Sequence, residues 1–352
     1  MTDSKILLVG WGYPPKIDGG LDIHVRHLFE ELLEQGVEVS LALPEERAPD
    51  RENVIPINTG SGDMVQRSRK MSAGIAEIAE NFDIVHTHDW FGAESGFKAK
   101  KYGDAKWVST FHSLSSGRNR EPGEDLQRLE KVAAEKPDTV LAVSEKLAEE
   151  IEDEFGVKPE VVHNGFSKPQ NSDIDIRKRH RIPEDENLVF FVGRHAEQKG
   201  LEHLLYGFKK LVEEIEATLI IGGKGHMKEA LENFTEILGI EEKVVFTGFI
   251  PREELGNYYM DADVFVSPSI NEPFGLTITE ALESKTPVVA TDSGVSEVAG
   301  DSIIKAEPES DSIKKGIELA LEKEADLEFE SRTWSEMAEE TIKIYQELSQ
   351  NG

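Results

Sequence analysis

Two glutamates flank a Pro-Phe-Gly turn in the stretch INEPFGLTITEALESK, whose first residue is Ile270. Glu272 precedes the turn, and Glu280 falls within the helix that the turn should begin. Helical side chains lean toward the N-terminus, so the carboxylate of Glu280 should lie over the first turn of this helix. There it could accept two hydrogen bonds from a ribose diol. The alternative is that both acids are solvated surface groups.

The backbone of the same turn could bind an anion. Gly275, Leu276 and Thr277 stand where the N–H groups of a new helix have no partner within that helix. Phosphate groups bind well at such helix N-termini. The turn therefore predicts a phosphate contact beside a candidate ribose contact.

Two cations, Arg194 and Lys199, follow another apolar run, LVFFVG. Arginine offers a planar fork of donors and lysine a mobile point charge, and both suit a diphosphate. Surface ion pairs with Glu197 and Glu202 are the alternative. The stretch IIGGKG, which ends at Gly225, adds glycines that would let the backbone approach a ligand, although any tight strand-to-helix turn would look the same.

A further group of candidate residues lies at the ends of two apolar runs in the N-terminal half, in HTHDW and STFHS. His86 and His88 point to one face if the strand persists, and with Asp89 and His112 they could ligate a metal ion. No ligand cluster with its own spacing accompanies them, so we predict no metal site. His112 could also be a core histidine whose hydrogen bonds are satisfied.

The elements that must position these residues alternate along the whole chain. Short apolar runs separated by amphipathic helical stretches predict parallel sheets covered on both faces, in the α/β class. The polar segment 166–187 interrupts this series and is the predicted linker. We therefore predict an N-terminal domain at 1–165 and a C-terminal domain at 188–330, both doubly wound and Rossmann-like, facing a central cleft. A helix within 331–352 could pack back across them.

The excess of acidic residues limits the partners of the chain. Its 352 residues carry 69 acidic against 39 basic groups, a formal net charge of −30. Nucleic acid is excluded as a partner because its recognition needs a basic footprint. There are no cysteines and no transmembrane segment in the sequence, so we expect a cytoplasmic protein without disulfides. The charge also suggests adaptation to high salt, which screens the repulsion between carboxylates.

Taken together, the motifs resemble the retaining glycosyltransferases of the GT-B fold, family 4 type (glycosyl transferases group 1), with some glycogen and starch synthase features. The resemblance extends over nearly the whole chain. It rests on an ordered set of motifs: GGL after YPPKID, HTHDW, TFH, VHNG, G-R-x-x-x-x-K-G, FTG and E-P-F-G-L-x-x-x-E-A. The synthases' K-x-G-G-L loop is one residue longer here, so we do not carry a donor contact over to Lys16.

The resemblance implies transfer of a hexosyl group from a nucleotide-diphosphate sugar to an acceptor, with retention at the anomeric carbon. It implies no metal and no other cofactor, and a front-face displacement in which the leaving phosphate helps to deprotonate the acceptor. Its small-molecule partner is the nucleotide sugar, and the acceptor could be a carbohydrate or a lipid-linked molecule. The loop 112–125 is a candidate for acceptor specificity.

The roles that the resemblance implies at the reacting centre fall in both predicted domains. His112 lies by the donor sugar and helps to stabilise the reacting centre, and Glu272 contacts the same sugar. His88 and Asp89 lie on the acceptor or sugar side.

The remaining roles concern the nucleotide diphosphate. Glu280 binds the ribose, and Phe249 and Ile250 border the base. Each residue that should contact the diphosphate offers either a positive side chain or a backbone group that approaches closely. These residues are Gly20, Arg194, Lys199, Gly275, Leu276 and Thr277.

Two other functions fit parts of the same pattern. A GT-B-fold sugar-nucleotide epimerase would share these sites but would need acid–base residues at the sugar and no acceptor pocket. A non-catalytic nucleotide-sugar-binding protein could lack Arg194, Lys199 or Glu272, all of which are present.

Overall fold

The computed structural model describes residues 4–118, 123–322 and 329–350. The chain divides into two compact units, which we call unit 1 (Met1–Gly165 with Arg332–Gly352) and unit 2 (Phe166–Ser331). Within the described residues, each unit contains one parallel β-sheet whose strands alternate with helices along the chain. The predicted α/β class with two doubly wound sheets is confirmed.

Unit 1 begins with strands and helices that alternate through its sheet. The strands are β1 (Ile6–Val9), β2 (Val39–Pro44), β3 (Val54–Ile57), β4 (Ile84–His88), β5 (Lys106–Phe111), β6 (Thr139–Ala142) and β7 (Glu160–Val161). The helices are α1 (Gly20–Glu34), α2 (Met64–Ile78), α3 (Ala93–Tyr102), α4 (Glu124–Glu135) and α5 (Glu145–Phe155). The strand order is β3-β2-β1-β4-β5-β6-β7, so the order reverses between β1 and β4.

The apolar runs of unit 1 form its core. Every residue of β1 is fully buried, as expected of a central parallel strand. On α1, the side chains of Val25, Leu28, Phe29 and Leu32 recur at helical spacing and have no exposed surface. This packing fixes α1 on the sheet, with its N-terminus following the loop from the carboxyl end of β1.

Unit 2 repeats the same plan. Its strands are β8 (Asn187–Val192), β9 (Ala217–Gly222), β10 (Val244–Gly248), β11 (Val264–Ser267), β12 (Val288–Ala290) and β13 (Ile303–Lys305). Its helices are α6 (Ile176–His180), α7 (Leu201–Leu211), α8 (Lys228–Leu238), α9 (Arg252–Asp261), α10 (Leu276–Glu283), α11 (Ser296–Ala299) and α12 (Ser310–Glu322). The order β10-β9-β8-β11-β12-β13 reverses between β8 and β11, which pair through Val189 with Val264 and Phe190 with Phe265.

A last helix, α13 (Trp334–Gln350), belongs to unit 1 and packs against α1. The ring of Trp334 stacks on His27 with centroids 4.4 Å apart. Farther along, the hydroxyl of Tyr345 lies 2.6 Å from Nδ1 of His86. The helix that the sequence places near the C-terminus therefore contributes side chains to the core of unit 1.

The segment 166–187, which the sequence analysis treats as a linker, packs within unit 2. The side-chain amide of Asn257 donates to the carbonyls of Ser172 and Ile174 at 2.8 and 2.9 Å. Ile176, the first residue of α6, is fully buried. These contacts join residues about 85 positions apart in the chain, so the polar composition alone could not show them.

Candidate functional site

The carboxyl ends of β8 and β11 bring Lys199 and Glu272 together. The Nζ atom of Lys199 lies 2.6 Å from Oε2 of Glu272, and the two side chains are only 19% and 11% exposed. The hydroxyl of Ser269 donates to the same carboxylate oxygen at 3.1 Å. In open parallel sheets, ligands bind where the strand order reverses, and this ion pair stands at that place in unit 2.

The loops that carry the pair are held against each other by backbone contacts. The N–H of Ile270 donates to the carbonyl of Gln198 at 2.8 Å. Gly200 has a φ of 61°, and a Cβ atom there would lie 2.0 Å from the carbonyl oxygen of Pro268. Because only glycine permits this approach, Gly200 fixes the distance between the loop of Lys199 and the loop of Glu272.

The glycines of IIGGKG pack against the loop that carries Arg194. A Cβ at Gly223 would lie 1.9 Å from the carbonyl oxygen of Gly193, and one at Gly225 would lie 2.1 Å from that of His195. The sequence suggested that these glycines admit a ligand. The structure shows that their immediate contact is the neighbouring loop, beside which the side chain of Arg194 is exposed.

The helix α10 begins immediately after the turn, with Gly275 at a φ of 104° as its N-cap. The carbonyl of Gly275 accepts from the N–H groups of Ile278 and Thr279 at 2.9 and 3.2 Å. No side chain caps this end, and within the described residues no hydrogen bond is made by the N–H groups of Leu276 and Thr277. The helix start that the sequence predicted is present. Its role in anion binding stays a prediction.

Glu280 is buried within unit 2, which excludes the interpretation of a solvated surface acid. The hydroxyl of Tyr259 donates to its Oε2 at 3.0 Å. Burial raises the pKa of Glu280 to about 6, while the charge of Arg252 and the hydrogen bond from Tyr259 act to lower it. The carboxylate of Glu280 therefore takes up a proton as the pH falls through about 6.

The loop after β10 carries the two residues that were predicted to border a base. Phe249 is 65% exposed, and the Nζ of Lys224 lies 5.6 Å from the centroid of its ring. Ile250 is buried and packs on Gly222, where an added Cβ would lie 2.5 Å from its Cδ1. This loop therefore presents one exposed aromatic ring and, next to it in the chain, one buried apolar side chain.

In unit 1, Gly20 is the exposed first residue of α1. The carboxylate of the buried Asp22 accepts a hydrogen bond from the N–H of Asp18 at 2.7 Å and so fixes the loop before the helix. Burial raises the pKa of Asp22. The amine of Lys16 donates to the carbonyl of Glu46, which gives Lys16 a partner within the fold.

The ends of β4 and β5 bring His88, Asp89 and His112 together. Oδ1 of Asp89 accepts from the backbone N–H of His112 at 2.7 Å, and the N–H of Asp89 donates to the carbonyl of Thr110 at 2.8 Å. Nδ1 of His88 lies 3.2 Å from Nε2 of His112. Asp89 therefore joins two strand ends, and the two imidazoles meet beside it.

His86 and His24, both buried, complete a group of four imidazoles with His88 and His112. The ring of His86 stacks on His88 with centroids 4.6 Å apart, so the two do share a face of β4. Both nitrogens of His86 have partners, Nδ1 with Tyr345 and Nε2 with Thr110. His24 on α1, which the sequence analysis did not single out, lies against His88 and His112 instead.

These histidines are neutral at physiological pH. Burial lowers the pKa of His24 to about 4 and that of His86 to about 3. Burial and neighbouring imidazoles hold the pKa values of His88 and His112 well below the usual range. As neutral imidazoles, each offers one N–H donor and one lone pair.

Of the candidate acceptor loop 112–125, residues 119–122 lie outside the described residues. Among the helices that are described, none combines the length and the apolar character that crossing a membrane requires.

Two family models together match most of the chain. The model described as Glycosyltransferase Family 4 matches residues 18–167, and the model described as Glycosyl transferases group 1 matches residues 172–341. An uncharacterized glycosyltransferase of Methanocaldococcus jannaschii is 31% identical to the chain, over 97% of both proteins.

Solved structures show the same fold at low sequence identity. The sucrose-phosphate synthase of Thermosynechococcus elongatus gives a TM-score of 0.83 at 22% identity, over 99% of this chain and 100% of that chain. The structure of Anabaena HepE in complex with UDP and glucose gives a TM-score of 0.74 at 18% identity, over 99% of each chain. These likenesses confirm the predicted GT-B fold.

Proposed function

The chain belongs to the group 1 glycosyltransferases, and on this premise we propose that it transfers a hexosyl group from a nucleotide-diphosphate sugar to an acceptor hydroxyl with retention at the anomeric carbon. The observation that carries the proposal is the ion pair of Lys199 and Glu272 beside the N-terminus of α10, at the reversal of the strand order. The complex of the structurally similar HepE with UDP and glucose supports a nucleotide sugar as donor.

In this proposal, positive groups of unit 2 stabilise the charge that grows on the leaving diphosphate. The amine of Lys199, the guanidinium of Arg194 and the N–H groups of Leu276 and Thr277 follow strand ends of one sheet edge. Preorganised donors of this kind stabilise developing charge because they need little reorganisation during the reaction. They would take the place of a divalent cation at the diphosphate, so we propose a metal-independent transfer.

Donor binding would give both side chains of the ion pair new partners. Without donor, Lys199 and Glu272 neutralise each other in a largely buried place. A bound diphosphate would attract the amine, and the carboxylate would then accept hydrogen bonds from hydroxyls of the donor sugar. Ser269, which already donates to Glu272, would keep the carboxylate in position during this exchange.

We propose a front-face displacement as the mechanism. The bond from the anomeric carbon to the diphosphate oxygen breaks through an oxocarbenium-like state. The acceptor oxygen then bonds on the same face, and its proton passes to the leaving phosphate. A double displacement would need a nucleophilic carboxylate at the sugar. The arrangement of Glu272, which is paired with Lys199 and bonded by Ser269, favours binding over attack.

The remaining candidate residues keep the roles that the family resemblance gives them. Glu280 would bind the ribose, and Phe249 with Ile250 would border the base. Gly20 would approach the diphosphate, and His112 would act at the donor sugar, with His88 and Asp89 beside it. A cytoplasmic location and a carbohydrate or lipid-linked acceptor are part of the same proposal.

The test is product analysis after donor identification. A thermal-shift screen of nucleotide diphosphates and their sugars, run at low and high salt, identifies the donor as the ligand that stabilises the protein. The protein is then incubated with this donor and a panel of sugar and lipid-linked acceptors, and the anomeric configuration of the product is read by NMR. A product with the donor's configuration is expected. An inverted product would overturn the mechanism, and an epimerised nucleotide sugar formed without acceptor would favour the epimerase.

A further inference from the structure

Unit 1 contains a cluster of three imidazoles, and the roles proposed for His88 and His112 at the sugar do not explain why His24 joins them. His24 comes from α1, His88 from the end of β4 and His112 from the residue after β5. The ring centroids lie 5.3 Å apart for His24 and His88, 4.5 Å for His24 and His112, and 5.4 Å for His88 and His112. One nitrogen from each ring lies within 4.8 Å of the other two. Three elements distant in sequence thus converge on one small volume.

Two nitrogens of the cluster are buried without a hydrogen bond. Nε2 of His24 and Nε2 of His88 have no partner among the described residues. Buried polar atoms are nearly always satisfied, so each such atom calls for a specific explanation. Nε2 of His24 faces the rings of His88 and His112, and its missing partner points to a ligand that interacts with imidazole nitrogen.

The state of His24 suits a metal ligand. Its Nδ1 lies 2.6 Å from Oδ1 of Asn164, an oxygen that only accepts hydrogen bonds. Nδ1 therefore carries the proton, and Nε2 carries the lone pair. Metal-binding histidines typically donate their other N–H to an oxygen in this way, which fixes the tautomer and the orientation of the ring.

The spacing of the other two rings also suits a metal ion. Nδ1 of His88 lies 3.2 Å from Nε2 of His112. Two nitrogens that share a tetrahedral Zn²⁺ at bonds of 2.0–2.1 Å lie about 3.3 Å apart. A simple N–H···N hydrogen bond would explain this single distance, but it would leave the buried Nε2 of His24 without a partner.

We propose that His24, His88 and His112 form a binding site for one divalent transition-metal ion, of which Zn²⁺ is the representative. Three imidazole donors favour Zn²⁺, Co²⁺, Ni²⁺ or Cu²⁺ over Mg²⁺ and Ca²⁺, which prefer oxygen ligands. Since His112 is only partly buried, a fourth position is open to water or to another oxygen ligand. The proposal does not depend on the proposed transfer, and the ion is not one that neutralises a diphosphate.

The experiment uses the full-length, tag-free protein after treatment with a chelator. Zn²⁺ is titrated by calorimetry, and Co²⁺ is added separately because its visible spectrum reports coordination geometry. We expect one ion per chain and a rise in melting temperature with either metal. The Co²⁺ spectrum should be intense, as is typical of an ion with a low coordination number. A weak octahedral Co²⁺ spectrum, or fewer than one ion for every two chains, would overturn the proposal.

Variants assign the site to its residues. His24→Gln and His88→Gln should abolish binding of one ion per chain, and the matched control His27→Gln, on the same helix, should keep it. Asn164→Ala removes only the partner of Nδ1 of His24 and should weaken metal affinity about 10- to 100-fold. If a ligand variant fails to fold, Asn164→Ala and the Co²⁺ spectrum of the native protein decide the question. Unchanged affinity in Asn164→Ala with an octahedral spectrum would refute the site.

Discussion

The Nζ atom of Lys199 lies 2.6 Å from Oε2 of Glu272, although 73 residues separate the two along the chain. The pair closes the gap between the loop after β8 and the loop after β11, and the carbonyl of Pro268 meets Gly200 directly beside it. A cation, a carboxylate and a helix N-terminus are thereby held at one edge of one sheet.

Lys199→Ala should lower kcat/KM for the donor by at least about 100-fold, because the leaving diphosphate loses a preorganised positive group. The protein should stay folded, as judged by circular dichroism. The matched control is Lys209→Ala, which removes a lysine from an exposed pair with Glu213 on α7 and should change the rate less than twofold. Initial rates across donor concentrations provide the measurement. Full activity in Lys199→Ala would remove this residue from the proposed mechanism.

Gly200→Ala should destabilise unit 2 and reduce transfer together, because the added Cβ would lie 2.0 Å from the carbonyl oxygen of Pro268. Gly239→Ala is the matched control, since Gly239 has a φ of 66° but nothing within 4 Å of the added atom. The control isolates the backbone cost of a positive φ, about 1–2 kcal/mol. Urea unfolding should show a larger loss for Gly200→Ala. Equal losses would mean that the two loops separate at little cost.

Donor affinity should fall as pH drops through about 6, since burial raises the pKa of Glu280 to about 6 and a protonated carboxyl accepts hydrogen bonds poorly. The intact nucleotide sugar is the appropriate ligand because its phosphodiester groups do not titrate in this range. Binding measured between pH 5 and 8 should strengthen with pH in the native protein. In Glu280→Gln it should be weaker and independent of pH. A flat profile in the native protein would place the ribose elsewhere.

The same carboxyl should affect stability in the opposite direction. A pKa raised above the unfolded value of 4.5 means that the folded state binds the proton more tightly. The contribution is complete below pH 4.5 and is lost as the pH rises through about 6. Relative to Glu280→Gln, the unfolding free energy of the native protein should fall by about 2 kcal/mol across this window.

The apolar runs of the sequence predict most strands of the two sheets, but not β3 and β13. β3 reads VIPI, and Pro56 argues against a strand unless it lies at an edge, where a missing N–H is tolerated. The sheet order puts β3 at that edge. β13 has only three residues, Ile303–Lys305, too few for a periodicity to be recognised. In both cases, pairing with a neighbouring strand makes the segment a strand. That pairing partner is distant in the sequence, so the residues of the segment alone do not predict it.

The sequence predicts those parts of the candidate site that depend on residues close together in the chain. The turn before α10 and the strand ends that carry Arg194 and Lys199 follow from motif and spacing. The contacts of Glu280 with Tyr259 and of His24 with Asn164 depend on tertiary packing, so no local pattern indicates them. A histidine on the buried face of α1 was the available signal for His24, and by itself it predicts only a core residue.

The net charge of −30 predicts that salt stabilises the protein. Raising KCl from about 0.1 M to 1 M shortens the Debye length from about 10 Å to 3 Å and screens the repulsion between surface carboxylates. The melting temperature should rise with KCl and level off near this range. Glycerol at equal osmolality is the control for general exclusion effects and should raise it less. Maximal stability in dilute buffer would contradict the adaptation to salt that the composition suggests.

Acid should destabilise unit 1 through its buried imidazoles, of which His86 is the clearest case. Burial lowers its pKa to about 3, so between pH 6.5 and 3 the unfolded chain binds a proton that the folded chain does not. The stabilising contribution is complete above pH 6.5 and is lost as the pH falls, by at most about 1.4 kcal/mol per pH unit for one histidine.

His86→Gln should therefore reduce the slope of the unfolding free energy against pH below 6.5 by up to that amount. It should also lower stability at pH 8, because the bonds to Tyr345 and Thr110 are not both restored by an amide. Urea unfolding of chelator-treated protein from pH 4.5 to 8 measures both effects. His27→Gln, a partly exposed position on α1, should change the slope less. An unchanged slope in His86→Gln would show that this ring already binds a proton in the folded state.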